Sequence, residues 1–156
     1  MAVADQVTDE QRLSYTWQLA VKLDDLAHYR RLASAAMRKW KQPCQVSDTV
    51  LLAVTELLSN VHRHAESPRC SLEIAKKGPS IYVNVSDRSP TPPVVSRPDW
   101  IAETGRGLWL LRELADDFGY EPTPDGKKVW IRIDTVAEQE EPMNKEPETE
   151  PCAPRP

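Results

Sequence analysis

Residues 48–64 constrain this chain more than any other stretch. Leu51, Val54, Leu58 and Val61 recur at spacings of three and four, which lays one apolar stripe along an amphipathic helix. Glu56 and Asn60 stand four residues apart on a second line of that helix, and His64 continues the line one turn later. A carboxylate and a carboxamide one turn apart suit a phosphate site. The carboxylate can polarise an attacking hydroxyl, and the amide oxygen can hold Mg²⁺. Three solvated side chains are the plainer use of the same spacing.

A second feature narrows the choice. Gly105 and Gly107 precede a helical run of Leu108, Leu111, Leu114 and Ala115. Backbone at two glycines can approach a ligand closely, and a helix start offers unpaired N–H groups to phosphate. The glycines match neither the dinucleotide fingerprint nor the Walker A loop.

Between these two features the chain reads as strands. Residues 70–76 and 80–87 alternate about a Lys77-Gly78-Pro79 turn and predict an antiparallel hairpin. Leu72, Ile74, Ile81, Val83 and Val85 would face the helices, and Asp87 closes the second strand. Upstream, Tyr15, Trp17, Leu19 and Val21 alternate in a half-buried strand over 14–22. Residues 24–40 predict a helix capped by Asp24 or Asp25. Leu26, Tyr29, Ala33, Ala36, Met37 and Trp40 cover its buried face. Pro43 separates this helix from the central one, which is expected to begin at Ser47 or Asp48. The Pro-rich segment 88–104 predicts a stiff loop. The next helix is expected to end near Asp117, with Phe118-Gly119 as its exit. Asp125-Gly126 signals a turn before a final strand that alternates Val129 and Ile131 with Trp130 and Arg132. Trp109 and Trp130 read as packing residues.

At 156 residues the chain is expected to form one domain with a real core. The organisation read here is a flexible N-terminus over 1–13, a domain over 14–136 and a disordered tail over 137–156. The tail holds six Glu and five Pro with almost no large apolar side chain. The net charge of −4, from 20 basic and 24 acidic residues, gives no support for direct nucleic-acid binding. No apolar run reaches membrane-spanning length and no signal peptide opens the sequence, so the expectation is a cytoplasmic protein without membrane association. Cys44, Cys70 and Cys152 form neither a zinc spacing nor a disulfide framework, and incidental or buried thiols are the plainer account.

The order of a helix with Glu56 and Asn60, then strands, then Asp87, then Gly105-Arg106-Gly107-Leu108 resembles the ATP-binding domain shared by gyrase, a heat-shock chaperone, histidine kinases and MutL. The small size and the wording of residues 51–65 are most similar to the anti-sigma factor serine/threonine kinases of Gram-positive bacteria, over about residues 15–134. The resemblance implies an α/β two-layer sandwich, with a mixed, mostly antiparallel sheet and helices on one face. It implies ATP and Mg²⁺ as cofactors, with Asn60 holding the metal and Glu56 acting as catalytic base toward a partner's hydroxyl. Asp87 would accept a hydrogen bond from the adenine amino group, as a group with only acceptors can. Gly105, Arg106, Gly107 and Leu108 would form the phosphate-side turn. His64 would order the lid, read here as the loop 88–104, or the outer sphere of the metal. One departure stands out: the family often carries glycines two and four residues after that aspartate, where this chain has Ser89 and Thr91.

What the resemblance implies for function is a regulatory, ATP-binding transferase acting in transcription regulation. Such a homodimer binds a sigma factor and phosphorylates a Ser or Thr of an antagonist, the anti-anti-sigma protein. The alternative is a non-catalytic anti-sigma or other regulatory binding protein with weak or vestigial ATP binding. Glu56 favours the first; Ser89 and Thr91 favour the second.

Overall fold

The computed structural model of the chain describes residues 12–93 and 106–135. The expectations for the N-terminus up to residue 11, for most of the 88–104 loop, for Gly105 and for the tail lie outside the described residues.

Alternation in the central hairpin builds the middle of the sheet. β2 (Arg69–Lys77) and β3 (Ser80–Asp87) turn at Gly78, whose φ of +58° is the left-handed backbone that glycine adopts without steric cost. Leu72, Ile74, Ile81, Val83 and Val85 are all buried, as the period of two requires. β1 (Ser14–Ala20) pairs with β2, placing Trp17 opposite Leu72. β5 (Gly126–Asp134) pairs with the other side of β3, and β4 (Asp117–Thr123) closes the edge, so the order is β1-β2-β3-β5-β4. Every described ladder is antiparallel.

The helices stack on one face of this sheet, which makes the two-layer α/β sandwich. α1 (Leu26–Lys39) follows a short 3-10 turn, Leu23–Asp25, and α2 (Cys44–His64) packs between α1 and strands β3 and β5. α3 (Arg106–Leu114) rests on α2. Met37, Val50, Val54, Leu58 and Leu111 meet Ile74, Ile81, Val83 and Ile131 in one core. Full burial of each such side chain contributes about 1.5–3 kcal/mol.

Several expectations need correction. α2 starts at Cys44, directly after Pro43 in extended conformation, and neither Ser47 nor Asp48 caps it. Its buried face is broader than the predicted stripe: Val50, Ala53 and Leu57 are buried, while Leu51 is only half-buried. Asp25 occupies the position before α1 but makes no side-chain cap. α3 ends at Leu114, and Phe118-Gly119 belongs to β4 rather than to a helix exit. Gly119 is needed there because a Cβ would overlap the Trp130 ring on the neighbouring strand. That contact bears out Trp130 as a packing residue. Cys70 is a buried free thiol, but Cys44 is exposed and disulfide-bonded, so incidental thiols are the wrong reading for Cys44.

Candidate functional site

The C-terminal half of α2, the end of β3, the start of β5 and the first turn of α3 converge on one cavity of about 170 Å³. Its walls are apolar: Leu57 and Val61 from α2, Val85 from β3, Leu108 from α3 and Val129 from β5. Asn60 and His64 reach it from the next positions along α2, and Thr91, Pro92 and Pro93 close another side. The volume lies below the ~300–1,000 Å³ usual for a whole ligand. It suits one flat apolar group, with the rest of a ligand extending past the rim.

The polar end of the cavity is a buried ion pair. The register of β3 and β5 sets Asp87 opposite Lys127. Lys127 Nζ lies 3.0 Å from Asp87 Oδ2 and 3.2 Å from Oδ1, and donates to the Ser89 carbonyl at 3.3 Å. The Ser89 amide also donates to Asp87 Oδ1, at 2.8 Å. Gly126 makes this approach possible, since a Cβ there would overlap the Asp87 carbonyl and the Arg88 backbone. Behind the pair, burial and the Asp87 charge push the Cys70 thiol up to about 12, which leaves it inert.

Ser89 and Thr91 fit their backbone without strain. Lys41 is the only non-glycine residue with positive φ among the described residues. Ser89 is buried and uses its own amide and carbonyl to hold the Asp87–Lys127 pair.

Glu56, Asn60 and Arg63 share one face of α2. The Glu56 carboxylate packs against the first turn of α3, where a Cβ on Gly107 would overlap it. Burial raises its pKa above the ordinary carboxylate value, and the Arg63 guanidinium partly offsets this. Arg63 Nη2 is 3.9 Å from Glu56 Oε2 and donates to Asn60 Oδ1 at 3.1 Å.

The structure therefore brings Asn60, His64, Asp87 and Leu108 together around the cavity, with Glu56 and Gly107 touching beside it. His64 is exposed. Arg106 opens α3, its side chain lying outside the described set, and Gly105 lies outside the described residues. Two residues were missed. Arg63 was readable, because it stands three after Asn60 and seven after Glu56. Lys127 carried no local signal.

A flat apolar slot with a polar end fits a nucleobase, and the adjoining Asn60 and Glu56 fit the phosphate side. Asn60 supplies one amide oxygen, which suits Mg²⁺ held mainly by phosphate and water, and leaves the Glu56 carboxylate beside it free of the metal. Among the described residues no group of three His, Cys, Asp or Glu could hold a metal by itself. Fold and site together are consistent with a nucleotide-binding domain. The chain belongs to the histidine kinase-like ATPase domain family, whose model matches residues 19–133. Domains of this family bind ATP with Mg²⁺. No curated protein matches the chain. Among the described residues no helix is long and apolar enough to cross a membrane.

Proposed function

We propose that this chain is an anti-sigma factor kinase: a homodimeric cytoplasmic protein that holds a sigma factor and phosphorylates a Ser or Thr of the antagonist that releases it. The observation that carries the reading is the half-buried Glu56 carboxylate one helical turn before Asn60, which lines a cavity that ends in Asp87. Asp87 would accept from the base, and Asn60 would hold Mg²⁺. Bound Mg²⁺ supplies positive charge to the phosphates. Glu56 accepts the proton of the incoming hydroxyl as the new Oγ–P bond forms and the bond from phosphorus to ADP breaks. Its raised pKa makes it a better proton acceptor than an exposed carboxylate. Phosphorylation adds charge to the antagonist, breaks its complex with the kinase and returns the sigma factor to it.

The test is phosphate transfer from labelled ATP to the antagonist recovered with this protein by pull-down from its cell. Transfer by wild type that is lost in E56Q supports the reading. Recovery of neither a sigma factor nor a small antagonist counts against it.

One observation favours the non-catalytic reading. Arg63 occupies the Asn60 amide oxygen, and Lys127 occupies the Asp87 carboxylate. Both ligand-side groups are thus already engaged, which suits weak ATP binding and control through surface contact alone. No transfer by wild type, with sigma binding intact, selects this second reading.

A further inference from the structure

Lys127 is the only buried lysine or arginine among the described residues. It lines the cavity with Asp87 instead of being sealed behind it. A buried ion pair is weak evidence for stability, because desolvation offsets much of the attraction. Its place at the polar end of a ligand cavity therefore directs attention to what it can read.

A bare carboxylate offers only acceptors. It accepts from the 6-amino group of adenine and repels the 6-oxo group of guanine or hypoxanthine. Here the carboxylate charge is balanced by an ammonium 3.0 Å away, and the same end of the cavity presents an acceptor and a donor side by side. Adenine shows a donor at its amino group next to an acceptor at N1. A 6-oxopurine shows an acceptor at O6 next to a donor at N1. The Asp87–Lys127 pair complements either edge, with the two contacts exchanged. The 3.3 Å contact of Lys127 to the Ser89 carbonyl is long, so that hydrogen can turn to a base oxygen at little cost.

We propose that Lys127 is a specificity-determining residue that opens this purine pocket to 6-oxopurine nucleoside triphosphates, GTP and ITP, alongside ATP. The proposal rests on the reading of the cavity as a nucleotide site. The Asp87 carboxylate accepts from N1–H of the 6-oxopurine while the Lys127 ammonium donates to O6.

Calorimetry on the full chain with Mg²⁺ and, separately, ATP, GTP, ITP and CTP tests this. GTP and ITP are expected to bind within about tenfold of ATP, with CTP weaker. In K127M both bases lose the lysine contact, but the uncompensated Asp87 carboxylate still accepts from the adenine amino group and repels O6, so the preference for ATP over GTP is expected to rise by about ten- to hundredfold. K127R, which keeps a cationic donor opposite Asp87, is expected to retain GTP binding. If K127M leaves Asp87 uncompensated and fails to fold, the wild-type affinities and K127R decide. A wild-type preference for ATP above tenfold, GTP binding lost in folded K127R, or an unchanged ATP-to-GTP ratio in folded K127M overturns the proposal and leaves Lys127 as a structural partner of Asp87, with the nucleotide site intact. Absence of binding by all four nucleotides removes the nucleotide reading itself, and this proposal with it.

Discussion

Arg63 donates to the Asn60 amide oxygen at 3.1 Å while standing 3.9 Å from the Glu56 carboxylate. One guanidinium thus holds both groups on α2 proposed to act on phosphate. Mg²⁺ and Arg63 compete for the same oxygen, so the arginine must turn away when metal binds. Its side chain is more than a third exposed, which makes that turn inexpensive.

Replacing Arg63 with methionine should therefore tighten Mg-ATP binding by about two- to tenfold, the net worth of one ordinary solvent-exposed hydrogen bond. The Glu56 pKa should rise further, because its offsetting charge is gone. Calorimetry with and without Mg²⁺ checks the first effect. Unchanged Mg²⁺ dependence would place the metal on a ligand other than Asn60.

E56Q separates chemistry from binding. Transfer should fall by about 10²–10⁴-fold while ATP binding changes little. Stability has its own sign. Burial raises the Glu56 pKa above the ordinary value of 4.5, so the fold prefers the neutral acid. That contribution is fully present below the unfolded pKa and is lost as pH rises through the raised folded value. E56Q should accordingly melt at or above the wild-type temperature at neutral pH, and the difference should close near pH 4. Wild-type transfer should decline as pH falls through the same raised value. Thermal melts and a pH–rate profile check both.

The sequence showed some of this and hid the rest for identifiable reasons. The stripe of Val54, Leu58 and Val61 and the alternation of Leu72, Ile74, Val83 and Val85 are local periodicities, and they settle the two layers. β4 was not legible because Gly119 and Pro122 are poor strand residues and the strand lies on an exposed edge. Ser47 and Asp48 looked like helix caps, yet the extended backbone at Pro43 already starts α2 without one. In the candidate site, Glu56 and Asn60 were legible because helical spacing places them. Lys127 was not, since β3 and β5 pair across an intervening helix and strand, and no local pattern fixes that register.

The exit of α1 offers a test away from the site. Lys41 has φ of 53°, the Gln42 amide donates to the Met37 carbonyl and the Lys41 amide to the Arg38 carbonyl. This is the Schellman arrangement, in which glycine is usual at the left-handed position. K41G should raise stability by up to about 1 kcal/mol. A thermal melt reads this as an upward shift; a lower melting temperature would mean that the lysine stem contributes packing that outweighs its backbone cost.

Gly107 links the fold to the proposed chemistry most directly. It lies in the first turn of α3, and there is no space between its Cα and the Glu56 carboxylate for a methyl group. G107A must either displace Glu56 or lift α3 from α2. Alanine favours helix over glycine by about 0.8–1.0 kcal/mol, whereas overpacking costs about 1–3 kcal/mol. The overlap is with a carboxylate at the end of a flexible side chain, so moving Glu56 is the cheaper response. The fold should then survive with a melting temperature within a few degrees of wild type. Transfer should fall steeply, by an amount approaching that of E56Q, because a displaced base no longer meets the hydroxyl. The double variant E56Q/G107A should lose little beyond E56Q alone, since both changes act on one group. Transfer assays on the four proteins, with melts alongside, check this. Additive losses in the double variant would show that Gly107 serves the phosphate through its own backbone and not through the position of Glu56.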